Sequence, residues 1–133
     1  MLKLMGYGFT DNAENADFIL YNTCAVRENA EDRVFGNVGA LKHYKSENPK
    51  LIIALCGCMM QQEHIQEKIK KSYPFVSLVF GTHGLDIFPQ LVYDAIRSKK
   101  RLFYTEQRKN SIAEGLPSQR HGNLKAYVPI MNG

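Results

Sequence analysis

Two cysteines stand where thiolate chemistry is possible. Cys24 lies in Asn22-Thr23-Cys24-Ala25-Val26-Arg27-Glu28, after the apolar run Phe18-Ile19-Leu20-Tyr21. Cys58 lies in Cys56-Gly57-Cys58-Met59-Met60-Gln61-Gln62, after the run Leu51-Ile52-Ile53-Ala54-Leu55. With strands before them and helices after them, both thiols fall at the carboxyl ends of strands, where open parallel sheets form their binding crevice. Neighbouring strands lie about 4.8 Å apart, so the two sulfurs could converge on one ligand. A helix amino terminus lowers a thiol pKa and favours thiolate, the form that binds iron or zinc. Gly57 permits close backbone approach. Spacing alone leaves a second reading equally open: both cysteines are small core residues, because two loop-end cysteines are not yet a ligand set. Cys56 continues its strand and reads as core, with a Cys-x-Cys pair to Cys58 as the lesser alternative.

Other chemistry is thinner. His43, His64, His83 and His121 are scattered, and none has a second ligand at metal spacing, so they read as surface or turn residues. Gly81-Thr82-His83-Gly84 follows a strand-like run and could cradle a phosphate. A plain strand-to-helix turn is the stronger reading, because no nucleotide fingerprint accompanies it. Arg97, Lys99, Lys100 and Arg101, then Arg108 and Lys109, form a basic stretch. It fits a solvated helix end better than an RNA-backbone contact. No paired carboxylates or Ser/His/Asp order are evident.

The elements that must position these residues come from apolar periodicity. Phe18–Tyr21, Leu51–Leu55, Val76–Phe80 and Leu102–Tyr104 read as strands, the first two as continuous apolar runs covered on both faces. Ala30, Val34, Val38 and Leu41, with Phe35, mark a helix ending near Asn48-Pro49. Ile65 and Ile69 mark a second, from about Gln61 to Lys71. Phe88, Leu91, Val92, Ala95 and Ile96 mark a third, with Pro89 in its first turn. The alternation predicts an α/β fold: an open, mostly parallel sheet with helices on both faces, flavodoxin- or Rossmann-like, joined by right-handed crossovers. Leu2, Leu4 and Met5 read as a helix tail capped by Gly6 or Gly8, so a first strand is expected upstream of Met1, with a disordered start at residues 1–6 as the alternative. Residues 1–105 form this domain, 106–123 a polar linker, and 124–133 the first strand of a further domain.

The 133 residues suffice for one core, and 44% apolar with 23% charged residues excludes a disordered chain. No apolar run approaches the roughly 20 residues of a membrane span, and Met1–Gly6 is too short for a signal peptide. Three cysteines without an export signal favour free thiols or metal ligands in a cytoplasmic protein. The net charge of +4 permits an RNA partner without demanding one.

The motif at 22–28, followed by Ala30-Glu31 and Val34-Phe35-Gly36, resembles the amino-terminal domain of tRNA methylthiotransferases of MiaB type. Gly57-Cys58-Met59 with Gln61-Gln62-Glu63, and Val79-Phe80-Gly81-Thr82, match in the same order. The resemblance implies part of a radical S-adenosylmethionine enzyme that adds a methylthio group to C2 of N6-isopentenyladenosine beside the tRNA anticodon. It implies an auxiliary [4Fe–4S] cluster held by three cysteines, with Cys24 and Cys58 matching the second and third. The first belongs to a Thr-x-Gly-Cys motif that nothing here matches. Three thiolates leave one iron open for the sulfur to be transferred. Lys125–Gly133 resembles the start of the radical domain. A second [4Fe–4S] cluster, most of the S-adenosylmethionine site and the RNA-anchoring domain would lie outside these residues, so this chain alone should be inactive. The resemblance adds tRNA and a sulfur source as partners. A nucleotide-binding module using the Gly81–Gly84 loop, and a structural domain with inert cysteines, are the alternatives.

Overall fold

A computed structural model describes residues 1–23, 30–98 and 100–105. Four parallel strands, β1 (Phe18–Thr23), β2 (Ile52–Gly57), β3 (Leu78–Phe80) and β4 (Leu102–Tyr104), lie side by side in chain order. Helices α1 (Ala30–Glu47), α2 (Glu63–Ser72) and α3 (Phe88–Ser98) run between them. The expected open parallel α/β sheet is therefore present.

Side-chain alternation divides the core between two faces. Odd-numbered strand residues, including Ile53, Leu55 and Val79, pack with Phe35, Val38 and Leu41 of α1 and Ile65 and Ile69 of α2. Even-numbered residues Ala54, Cys56, Leu78 and Phe80 pack with Phe88, Leu91, Val92 and Ala95 of α3. All six residues of β2 are buried, as its continuous apolar run requires.

That division corrects one expectation. The strands step along the sheet in one direction, while α1 and α2 cover one face and α3 the other. The third crossover therefore has the opposite hand to the first two, and the crossovers are not all right-handed. The physical reason is coverage: the apolar even-numbered face of β2 and β3 needs a partner, and α3 supplies it.

Local signals account for most boundaries. Leu2–Met5 is a short 3-10 helix closed by Gly6 at φ 92°, so Gly6 is the cap that the sequence left open between two glycines. The turn packs on the α3 face. α1 stops one residue before Asn48-Pro49. Beyond it the Lys45 ammonium donates to the carbonyls of Pro49 at 2.9 Å and Leu51 at 2.5 Å, and burial lowers its pKa. Ile96 departs from the expected stripe: it is 49% exposed, because Leu91, Val92 and Ala95 already fill the seam against the sheet. The expected linker at 106–123 and the strand-like segment at 124–133 lie outside the described residues.

Candidate functional site

The site is built where β1 and β2 end together. The parallel register pairs Asn22 with Cys56 and Thr23 with Gly57, so the two strands expected to carry the cysteines are neighbours. Thr23 Oγ1 donates to the carbonyl of Cys56 at 2.7 Å. The Cys58 thiol faces the carbonyl oxygen of Thr23 at 4.0 Å, a long contact at the outer limit for a sulfur donor. Cys24 is the next residue after Thr23 and lies outside the described residues. The structure thus brings the Cys58 thiol to the peptide group that leads into Cys24.

Gly57 makes this closeness possible. Its φ of 109° with ψ of 179° is a backbone region that only glycine visits freely. A Cβ there would sit 2.0 Å from the Thr23 carbonyl oxygen and 2.9 Å from Asn22 Oδ1. Cys58 then opens a 3-10 turn, Cys58–Gln61, and α2 begins only at Glu63. The helix expected from about Gln61 thus starts later, because Gln62 is extended at φ −78° and ψ 126°.

The two described cysteines differ in kind. Cys56 points into the α3 face, 4% exposed, and burial pushes its thiol up to about 11. A thiol so reluctant to ionise is a poor metal ligand, which supports its reading as core. Cys58 is half-buried at the edge of the sheet, open enough to meet a ligand yet shielded on one side. Among the described residues no group of three or more His, Cys, Asp or Glu side chains converges on a point. A single described thiol fits one thiolate ligand, and any further ligand must come from residues outside the described set.

The neighbouring loop has a packing role. A Cβ on Gly81 would meet Gln61 Cγ at 2.8 Å, and one on Gly84 would meet the Phe80 ring at 3.0 Å. Thr82 Oγ1 donates to Gln61 Oε1 at 3.5 Å. The Gly81–Gly84 glycines therefore seat Gln61 and Phe80, which supports a plain turn over a phosphate cradle. His43 and His64 lie at the surface beside Glu47 and Glu31, at 3.2 and 3.3 Å, and His83 is half-buried in the 3-10 turn. His121 is outside the described residues.

The basic stretch divides. Arg97 and Lys100 are exposed, as a solvated helix end would be, while Lys99, Arg108 and Lys109 are not described. Arg101 is different. Its guanidinium donates to the carbonyls of Val76 (3.1 Å), Lys70 (3.1 Å), Ile69 (2.9 Å) and Tyr73 (3.1 Å). It satisfies the carboxyl end of α2 and is committed to the fold. Sequence reasoning missed both Arg101 and Thr23, whose partners are 25–33 residues away in the chain.

An open parallel α/β sheet with a half-buried thiol at its carboxyl edge defines a class of domain that offers ligands from strand-to-helix loops. The chain belongs to the family described as "Uncharacterized protein family UPF0004", whose profile matches residues 1–81. Over all 133 residues it is 52% identical to a protein of Clostridioides difficile (strain 630) named tRNA-2-methylthio-N(6)-dimethylallyladenosine synthase, covering 28% of that protein. It is 47% identical over 133 residues to the protein of that name from Caldicellulosiruptor saccharolyticus (28% of its length). The figure is 46% over 133 residues for the one from Clostridium perfringens (strain SM101; 30% of its length). The resemblance to tRNA methylthiotransferases thus extends over the whole chain, which spans less than a third of the length of these curated relatives. Among the described residues no helix is long and apolar enough to cross a membrane.

Proposed function

We propose that this chain is the part of a cytoplasmic tRNA methylthiotransferase that holds an auxiliary [4Fe–4S] cluster, with Cys24 and Cys58 as two of its thiolate ligands. The observation that carries the reading is the Cys58 thiol seated at the end of β2, against the Thr23 carbonyl that leads directly into Cys24. The names of the relatives support the enzyme class. The full enzyme uses a second cluster and S-adenosylmethionine to place a methylthio group on C2 of N6-isopentenyladenosine beside the tRNA anticodon. Those parts, the third cysteine and the sulfur source lie outside these residues.

This chain's contribution is binding and orientation. When bound, an incompletely ligated cluster offers an iron position at which sulfur can be held. Cys58 supplies a thiolate from a fixed turn. Gly57 keeps that turn against β1, and Cys56 stays protonated in the core. The packed helices bury the whole of β2, the strand that leads to Cys58.

Anaerobic reconstitution of the full-length enzyme with ferrous iron and sulfide tests the reading. Cys24→Ala and Cys58→Ala should each abolish stable uptake at the auxiliary site, whereas Cys56→Ala should retain it. Full iron and sulfide content in the Cys58→Ala protein would overturn the proposal.

A further inference from the structure

Thr23 is the one polar residue buried as a whole among the described residues, 5% exposed. Burying a hydroxyl in an apolar sheet is unfavourable unless it is hydrogen-bonded, and valine would fill the same shape without that cost. The hydroxyl is used: at 2.7 Å it ties β1 to the Cys56 carbonyl at the last rungs of the ladder. The same residue's carbonyl lies 4.0 Å from the Cys58 thiol and faces the position that only Gly57 leaves vacant. Cys56, Gly57 and Cys58 therefore all meet Thr23, and Cys24 is joined to it covalently.

We infer that Thr23 is a positioning residue whose cross-strand hydrogen bond holds the turn bearing Cys58 against the end of β1, and so tunes metal binding by Cys58. The inference rests on the cluster reading above. The ends of a parallel ladder fray first, because no further rung holds them. A side-chain bond at the final rungs is placed to stop fraying where ligand geometry begins. Removing groups that orient metal ligands typically weakens metal binding about 10- to 100-fold.

The test compares Thr23→Val, Thr23→Ala and Thr23→Ser with Cys58→Ala in the reconstituted full-length enzyme. Iron retention is read by chelator competition, and ligand geometry by the spin-resonance spectrum of the reduced cluster. Thermal unfolding of the metal-free proteins controls for folding. T23V and T23A should release iron about 10-fold more readily or worse, with a changed spectrum, and T23S should restore both. T23A covers the case in which valine disturbs the fold. Wild-type retention and spectrum in T23V and T23A, with loss in C58A, would overturn the positioning role while leaving the cluster reading intact. Iron losses that merely follow the loss of thermal stability, without rescue by serine, would also overturn it. Retention in C58A would overturn both.

Discussion

Replacing Arg101 with methionine keeps the aliphatic stem and removes the guanidinium that closes α2. Four carbonyls lose a side-chain donor: Ile69, Lys70, Tyr73 and Val76. The bond to Lys70 is solvent-exposed and is counted as nothing, since water replaces it. The other three are partly buried, and at about 1 kcal/mol net each they sum to roughly 3 kcal/mol. The ring of Phe103, 5.1 Å from the guanidinium, adds about 0.5 kcal/mol. Lysine offers a point charge where the fork serves several carbonyls, so Arg101→Lys should recover only about a third. Urea unfolding should show the midpoint of R101M falling with unchanged slope, and the thermal midpoint dropping by about 10 °C. A loss below about 0.5 kcal/mol, or full rescue by lysine, would refute the assignment of Arg101 as the clasp of α2.

Gly57→Ala should destabilise the chain by about 3 kcal/mol or more, because it combines a glycine-only backbone region with a Cβ 2.0 Å from a fixed carbonyl; circular dichroism during denaturation measures this, and a neutral outcome would show that the end of β2 is adaptable. Cys56 makes a pH prediction. Its folded pKa is raised to about 11 from the ordinary 9.0, so the unfolded chain releases the proton first and stability falls as pH rises through that window. The difference between wild-type and Cys56→Ala unfolding curves from pH 8 to 11 should carry this slope, and parallel curves would show that Cys56 is not the group responsible.

Much of the architecture was legible because it follows from short-range pattern. The run Leu51–Leu55 announced a strand buried on both faces, and β2 is buried throughout. Asn48-Pro49 announced the end of α1, and the first turn was expected to close at Gly6 or Gly8, of which Gly6 is the cap. What escaped depends on tertiary neighbours. Ile96 belongs to the apolar stripe by spacing, but Leu91, Val92 and Ala95 already fill the seam and leave it exposed. Arg101 looks like one more cation of a basic stretch until the end of α2 is placed beside it. Cys56 and Cys58 were separable from sequence alone, since one continues a strand and the other leaves it. The role of Thr23 was not, because its partner lies across the sheet.

Strand order equal to chain order has a consequence for how the molecule is made. Each strand pairs with the one synthesised immediately before it, so every pairing closes one strand–helix–strand loop and none waits for a distant segment. Such topology keeps contact order below that of a parallel sheet whose strands pair out of chain order. During synthesis the sheet can grow by one unit at a time as the chain emerges, and the Thr23–Cys56 clasp can form before β3 exists. The far-reaching closure is the packing of Tyr7 on Phe18 and of Phe18 on Phe88, which joins the beginning of the chain to α3 as a late step.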